Sequence, residues 1–177
     1  MTYTQHYDSP LGGILLAADE EGLTGLWFDG QKYFARTLPK EYAESETPVL
    51  CEAKRWLDIC FSGCEPDFTP PLHPVGSAFR QAVWALLLEI PYGETTTYGA
   101  LARKLAEKQG LTHMSAQAVG GAVGHNDISL IIPCHRVVGA RGSLTGYADG
   151  VDKKIKLLEL ERADMKAFFV PKKGTAL

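Results

Sequence analysis

The sequence predicts an α/β protein of two small domains, a mixed N-terminal domain over residues 1–74 and a mainly helical C-terminal domain over residues 75–177. Three observations carry this. Apolar runs separated by turn residues come first, amphipathic helical periodicity dominates later, and a proline-dense stretch lies between them. The 177-residue length suits one domain or two small ones.

Leu11 to Ala18 and Leu23 to Phe28 are apolar runs joined by the acidic turn Asp19-Glu20-Glu21-Gly22 and closed by Asp29-Gly30, the pattern of a β-hairpin or meander. Thr47-Pro48 then reads as a helix cap followed by proline at the first helical position. Val49, Leu50, Ala53, Trp56, Leu57 and Cys60 share one face of that helix, which ends near Ser62-Gly63. Phe68 to Pro74, FTPPLHP, holds three prolines in seven residues and is expected to be a linker. Beyond it, Phe79, Val83, Trp84, Leu86, Leu87 and Ile90 fit an amphipathic helix stopped by Pro91-Tyr92-Gly93. A second helix is expected from Tyr98 to Lys108 with Thr97 as its cap, and Ser115 caps a third segment of small residues, AQAVGGAVG. Two capped helices joined by a short glycine-containing connection resemble a helix-turn-helix.

Hydrophobic residues at 45% and charged residues at 22% describe an ordinary globular chain and exclude wholesale disorder. No stretch is apolar enough to span a membrane, and MTYTQHYDSP lacks the layout of a signal peptide, so a cytoplasmic protein without membrane contact is expected. In that compartment the four cysteines (Cys51, Cys60, Cys64, Cys134) are expected as thiols, Cys60 in the core and Cys51 at the surface. Cys60 and Cys64 could be pictured as a metal pair, but the spacing is loose and no second pair follows, so no metal is expected.

The formal net charge of −3 divides unevenly. Residues 1–74 hold 5 Lys/Arg against 12 Asp/Glu, a net of −7, and residues 75–177 hold 13 against 9, a net of +4. A basic second half suits a polyanionic partner, although a chance imbalance of solvated side chains gives the same count. The small third helix offers almost no side chain able to read base edges. It suits close backbone approach, either to a narrow groove or to a neighbouring helix.

The segment HNDISLIIPCHRVVG concentrates the chemistry. Ile128 to Ile132 is an apolar run fit for burial, and Pro133 stops it just before Cys134, so the thiol sits at the end of rigid structure. His135 beside it is placed to stabilise a thiolate, directly or through water.

PCHRV, with the Asn126 turn before it, Gly146-Tyr147 and a Lys-rich helix ending LLELE after it, and IPYGETTTYGALA upstream, resembles the active-site region of the 6-O-alkylguanine-DNA alkyltransferases, also called methylated-DNA–protein-cysteine methyltransferases. The resemblance covers residues 75–165 closely and the first 74 more loosely. It implies a ribonuclease-H-like N-terminal α/β domain and a C-terminal domain carrying the helix-turn-helix and the reactive cysteine. It further implies Cys134 as alkyl acceptor, His135 and Glu161 as its proton relay, and Asn126 as the tie between the buried turn and the active-site loop. Tyr98 is implied at the target phosphate and at the leaving guanine, and Ala116, Gln117, Ala118, Gly120 and Arg136 at the DNA. Val123, Val137, Tyr147 and Ala148 are implied around the flipped base.

The activity that the resemblance implies is stoichiometric transfer of an alkyl group from the 6-oxygen of guanine in duplex DNA to the protein's own cysteine, without cofactor or metal. The implied partner is double-stranded alkylated DNA, bound through the minor groove without sequence specificity by a monomer. Two other classes stay open on the residues alone: a cysteine hydrolase using Cys134 and His135, and a DNA-binding regulator needing only the two helices. Four positions depart from the family pattern: Gln117 stands where most of the family carries an arginine that enters the base stack. Asp127 and Ser129 stand where prolines are common, which predicts a looser loop before the active site, and Asp149 stands where glycine is common beside the base pocket.

Overall fold

The computed structural model describes residues 1–148 and 150–171; Asp149 lies outside them. The chain divides into two compact units, Met1–Val75 together with Asp127–Ile131, and Gly76–Asn126 together with the chain from Ile132 onward. The first unit thus includes five residues from far along the chain, just upstream of Ile132 and the Pro133-Cys134 dipeptide.

The first unit is built on a four-stranded sheet in the order β3-β2-β1-β4. Strands β1 (Tyr3–Ser9) and β2 (Gly12–Ala18) form an antiparallel hairpin, β2 pairs antiparallel with β3 (Leu23–Phe28), and the short β4 (Ala43–Glu44) runs parallel to β1. Sequence patterning gives β2 and β3 but not β1, whose TQHYD core is half exposed and carries no apolar run. Strands β2 and β3 are buried on two faces. Helix α1 (Pro48–Phe61), capped by Thr47, lays Leu50, Ala53, Trp56, Leu57 and Cys60 against one side. On the other, Leu15, Ala17 and Trp27 are covered by Ala35 and Leu38.

The free edge of β3 is closed by two segments from far along the chain. Leu23 donates to Pro71 O and accepts from His73 N, so the proline-rich stretch expected as a linker is in fact paired against the sheet. Prolines suit this edge position because they need no ladder partner on their outer side. Further along, Leu26 N donates to Asp127 O at 2.8 Å and Leu26 O accepts from Ser129 N at 3.1 Å.

The expectation of a loose loop here is overturned by the same residue that raised it. Asp127, 3% exposed, accepts from Arg36 Nη2 at 2.6 Å and from the Trp27 indole N–H at 3.3 Å, contacts that proline cannot make. Trp27 reaches it by lying flat over Gly25, where any Cβ would sit 2.0 Å from the indole.

The second unit packs helices α2 (Ala78–Leu87), α3 (Tyr98–Lys108) and α4 (Ala116–Gly124) against one another, with the Trp84 indole donating to Ala122 O at 2.9 Å. Thr97 and Ser115 cap α3 and α4 through their hydroxyl oxygens. A two-residue parallel pairing of β5 (Thr96–Thr97) with β6 (Val137–Val138) brings the start of α3 beside the turn that carries Cys134. Helix α5 (Val151–Leu160) buries Lys154, Leu157 and Leu158, and Leu158 packs with Val138 and Leu144. No helix among the described residues is long and apolar enough to cross a membrane.

Asp127→Ala strips two donors of their partner. Breaking a buried pair is strongly destabilising, and the 34% exposure of Arg36 moderates the cost to about 2 kcal/mol. Urea unfolding of the full chain should show the midpoint fall with the slope unchanged; a loss below about 0.5 kcal/mol would mean that the edge pairing alone holds the segment.

Candidate active site

Pro133 ends the excursion of the chain into the first unit, and Cys134–Arg136 then form a single 3₁₀ turn. Two bonds to one carbonyl hold its start. The Asn126 side-chain amide donates to Ile132 O at 2.7 Å, and Cys134 N donates to the same oxygen at 2.8 Å. Asn126 is 5% exposed, so this bond closes a buried neck between the point where the chain leaves the second unit and the point where it returns. Cys134 is partly exposed and, like the other three cysteines, is a thiol.

Behind it the polar side chains form a directed chain. His135, 1% exposed, shares a 2.8 Å hydrogen bond through Nε2 with Glu161 Oε1. Arg136 donates Nε to Glu161 Oε2 at 2.9 Å and Nη2 to Oε1 at 2.8 Å, a bidentate grip, while its Nη1 donates to Ile90 O at 2.8 Å. Burial alone would raise the Glu161 pKa, but the bonds from His135 and Arg136 outweigh it and hold the carboxyl at about 2. Glu161 is therefore ionised at neutral pH and accepts. His135 must then carry its proton on Nε2, and burial pushes its pKa below the usual 6.5, so the ring is neutral. Its Nδ1 is buried without a hydrogen-bond partner in the protein, an unused lone pair on the residue next to the thiol.

Tyr98, the first residue of α3, is 3% exposed, and its hydroxyl donates to Thr145 O across a long 3.4 Å. Burial raises its pKa well above the usual value, and nearby Cys134 adds to the effect, so the phenol keeps its proton. Val123 and Val137 are buried in the second unit, and Tyr147 and Ala148 are half-buried on the loop after Thr145. The stretch just before that loop is pinned, because Leu144 N donates to Phe169 O and Phe169 N to Gly142 O.

Ala116, Gln117 and Ala118 are exposed on the first turn of α4. Two more residues expected at the DNA are less exposed. Gly120 is buried on α4 together with Val119, Ala122 and Val123. Arg136 is 11% exposed and its guanidinium is committed to Glu161 and Ile90 O.

One residue of the site was not found by reading the sequence. Lys154 is 0% exposed, and its ammonium donates to Val137 O and to Thr145 O, the latter at 2.9 Å. The signal was present, since Lys154, Leu157, Leu158 and Glu161 fall at i, i+3, i+4 and i+7 on the inner face of α5.

The two depressed pKa values set the acid response. As pH falls below about 6.5 the unfolded imidazole of His135 takes a proton that the buried one refuses. Between about 4.5 and about 2 the same holds for Glu161, so both contributions are present at neutral pH and lost on acidification. Stability should fall from pH 6.5 downward with up to about 1.4 kcal/mol per pH unit from His135. In His135→Gln the slope between about pH 6.5 and about pH 5 should flatten, and urea unfolding at a series of pH values measures it; equal slopes would place the acid response elsewhere.

Two family models match the chain, the 6-O-methylguanine DNA methyltransferase ribonuclease-like domain over residues 2–74 and the DNA binding domain of the same family over residues 78–163. The methylated-DNA–protein-cysteine methyltransferase of Methanosarcina acetivorans is 44% identical over 160 residues, 90% of this chain and 97% of its own. That of Haemophilus influenzae is 40% identical over 161 residues, 90% of this chain and 86% of its own. A crystal structure of Mycobacterium tuberculosis OGT in complex with DNA superposes with a TM-score of 0.78 at 39% identity, covering 91% of this chain and 94% of that one. Identity at this level over nearly the whole of both chains settles descent: this chain belongs to the 6-O-methylguanine DNA methyltransferase family.

Proposed function

We propose that this protein repairs DNA by moving a methyl or other alkyl group from the 6-oxygen of guanine to its own Cys134, once per molecule. The observation that carries the reading is the state of His135: neutral, buried, fixed through Nε2 on an ionised Glu161, and left with Nδ1 as an unused base on the residue that follows Cys134 in the same turn. This is triad logic applied to sulfur.

The Cys134 proton passes to His135 Nδ1, directly or through a water. The thiolate attacks the alkyl carbon, the new S–C bond forms as the bond to the guanine 6-oxygen breaks, and the electron pair leaves with the base. Tyr98 retains its proton and holds it in a weak bond, so its hydroxyl is available to protonate or stabilise the departing guanine. The cysteine is itself the acceptor, so the reaction requires no cofactor or metal. A thioether has no easy route back to the thiol, which makes the reaction single-turnover.

The damaged base cannot meet a protein side chain while stacked, so the nucleotide must be flipped toward the Val123, Val137, Tyr147 and Ala148 region. Helices α3 and α4 act as a helix-turn-helix that grips phosphates from the minor groove. The exposed Ala116 and Ala118 permit close approach without base readout, consistent with sequence-independent binding to duplex DNA. The protein acts as a cytoplasmic monomer.

Incubation with a duplex containing 6-O-methylguanine should add one methyl to the protein, localised by mass spectrometry to Cys134. Cys134→Ser should abolish transfer and keep DNA binding, because a hydroxyl is a far weaker nucleophile of nearly the same shape. Transfer retained in that variant would defeat the mechanism. A cysteine hydrolase would leave no stable adduct, and a regulator would tolerate the substitution.

Gln117 is exposed on the first turn of α4, where most of the family has an arginine that fills the gap left by the flipped nucleotide. A neutral amide there supports flipping less strongly than a cation. Gln117→Ala should slow transfer from duplex DNA about threefold to tenfold and leave reaction with free benzylguanine unchanged, since only the duplex must be opened. Equal effects on both substrates would remove Gln117 from the DNA-binding set.

A further inference from the structure

A fully buried ammonium without a carboxylate partner is costly, and the second unit contains one. Lys154 is 0% exposed, and among the described residues it is paired with no acid; its donors go to the carbonyls of Val137 and Thr145. Burial lowers its pKa to about 8, so at neutral pH it still carries its charge. An apolar residue at this position would avoid that cost, so the charge calls for a reason.

The placement supplies one. Val137 is the residue that ends the Cys134–Arg136 turn, its own N–H donating to Cys134 O, so Lys154 holds the far end of the turn that carries the thiol. Thr145 O accepts from both Lys154 and Tyr98, which places the ammonium and the phenol on one carbonyl. Of the titratable groups around it, Tyr98 and His135 are neutral at pH 7, and the Glu161 carboxylate is neutralised by the bidentate Arg136. Cys134 is the remaining group able to become the anion this cation faces, and the two interact electrostatically.

We propose that Lys154 is a positioning residue acting through Cys134: its buried ammonium, fixed under the nucleophile turn by two carbonyls, is the counter-charge that sustains the thiolate. It complements His135, which removes the proton but, once charged, returns it readily because its site is desolvated. The inference rests on Cys134 being the alkyl acceptor. It also has a consequence after reaction: the thioether is neutral, so alkylation leaves the ammonium without its anion.

The test reads the charge on Lys154 itself. With lysine side chains isotopically labelled, its titration is recorded by NMR in the unreacted protein, in Cys134→Ala and in the protein benzylated by free benzylguanine. Because coupling between two charges is reciprocal, the midpoint should fall by about half a pH unit or more in the last two. In parallel, Lys154→Gln keeps donors for both carbonyls and loses the charge. Its reaction with free benzylguanine should be about tenfold slower at pH 7, the equivalent of about one pKa unit on the thiol. The deficit should close above the pH at which the wild-type lysine loses its proton. A Lys154 titration indifferent to Cys134, or a deficit equal at every pH, would overturn the proposal and leave Lys154 as a purely structural clamp. Mass spectrometry of the wild type keeps the two readings apart: no benzyl on Cys134 defeats the acceptor assignment, whereas a benzyl on Cys134 with an indifferent Lys154 defeats this inference alone.

Discussion

A carboxylate buried to 5% exposure stays ionised only if the protein replaces the water it has lost, and Glu161 receives that replacement from Arg136 and His135. The rest of the site depends on this arrangement. With Glu161 negative, the Nε2 proton of His135 is fixed and its Nδ1 lone pair is left for the thiol side. Arg136 cancels the carboxylate charge, so His135 is oriented by Glu161 without being driven to the imidazolium by it. Were the arginine absent, the unpaired carboxylate would raise the imidazole pKa, and a protonated ring cannot accept from a thiol.

Helix α5 and its C-terminal cap supply both signs of charge to this turn. Lys154 and Glu161 are seven residues apart, two helical turns, and so share a face. Leu157 and Leu158 between them are buried and set the rotation of the helix, which decides where the two charged groups point. A packing defect at Leu158, where α5 meets Val138 and Leu144, would thus be expected to misplace polar atoms that it never touches. The core and the chemistry are coupled through helix rotation.

How far the sequence spoke for itself depended on whether a feature was local. Caps at Thr47, Thr97 and Ser115, the inner face of α1 and the positions of α3 and α4 follow from residue order alone, because capping and amphipathic period act over a few residues. Strand β1 and the paired proline segment were illegible, since both are made by partners elsewhere in the sheet rather than by their own composition. The same distinction separates the site residues. Cys134 and His135 are conspicuous beside Pro133, whereas Glu161 and Tyr98 were reached through family resemblance, and Lys154 was hidden in a run of lysines where exposure is the ordinary fate. Arg136 follows the same distinction: a basic residue reads as surface from its own composition, but here its guanidinium is held by Glu161 and by Ile90 O from far along the chain.

Asp127 shows how a departure from the family pattern can be rebuilt by other means. Proline would stiffen the chain before the nucleophile by restricting the unfolded state, an entropic effect that needs no partner. Aspartate gives up that restriction and gains two directed bonds, to Arg36 and to Trp27, in a place where water cannot compete. The stiffness is then conditional on those partners, and Trp27 in turn depends on the bare backbone of Gly25. Asn126 and Ile132 flank this segment, and the bond between them fixes, within the second unit, the carbonyl that also holds Cys134 N.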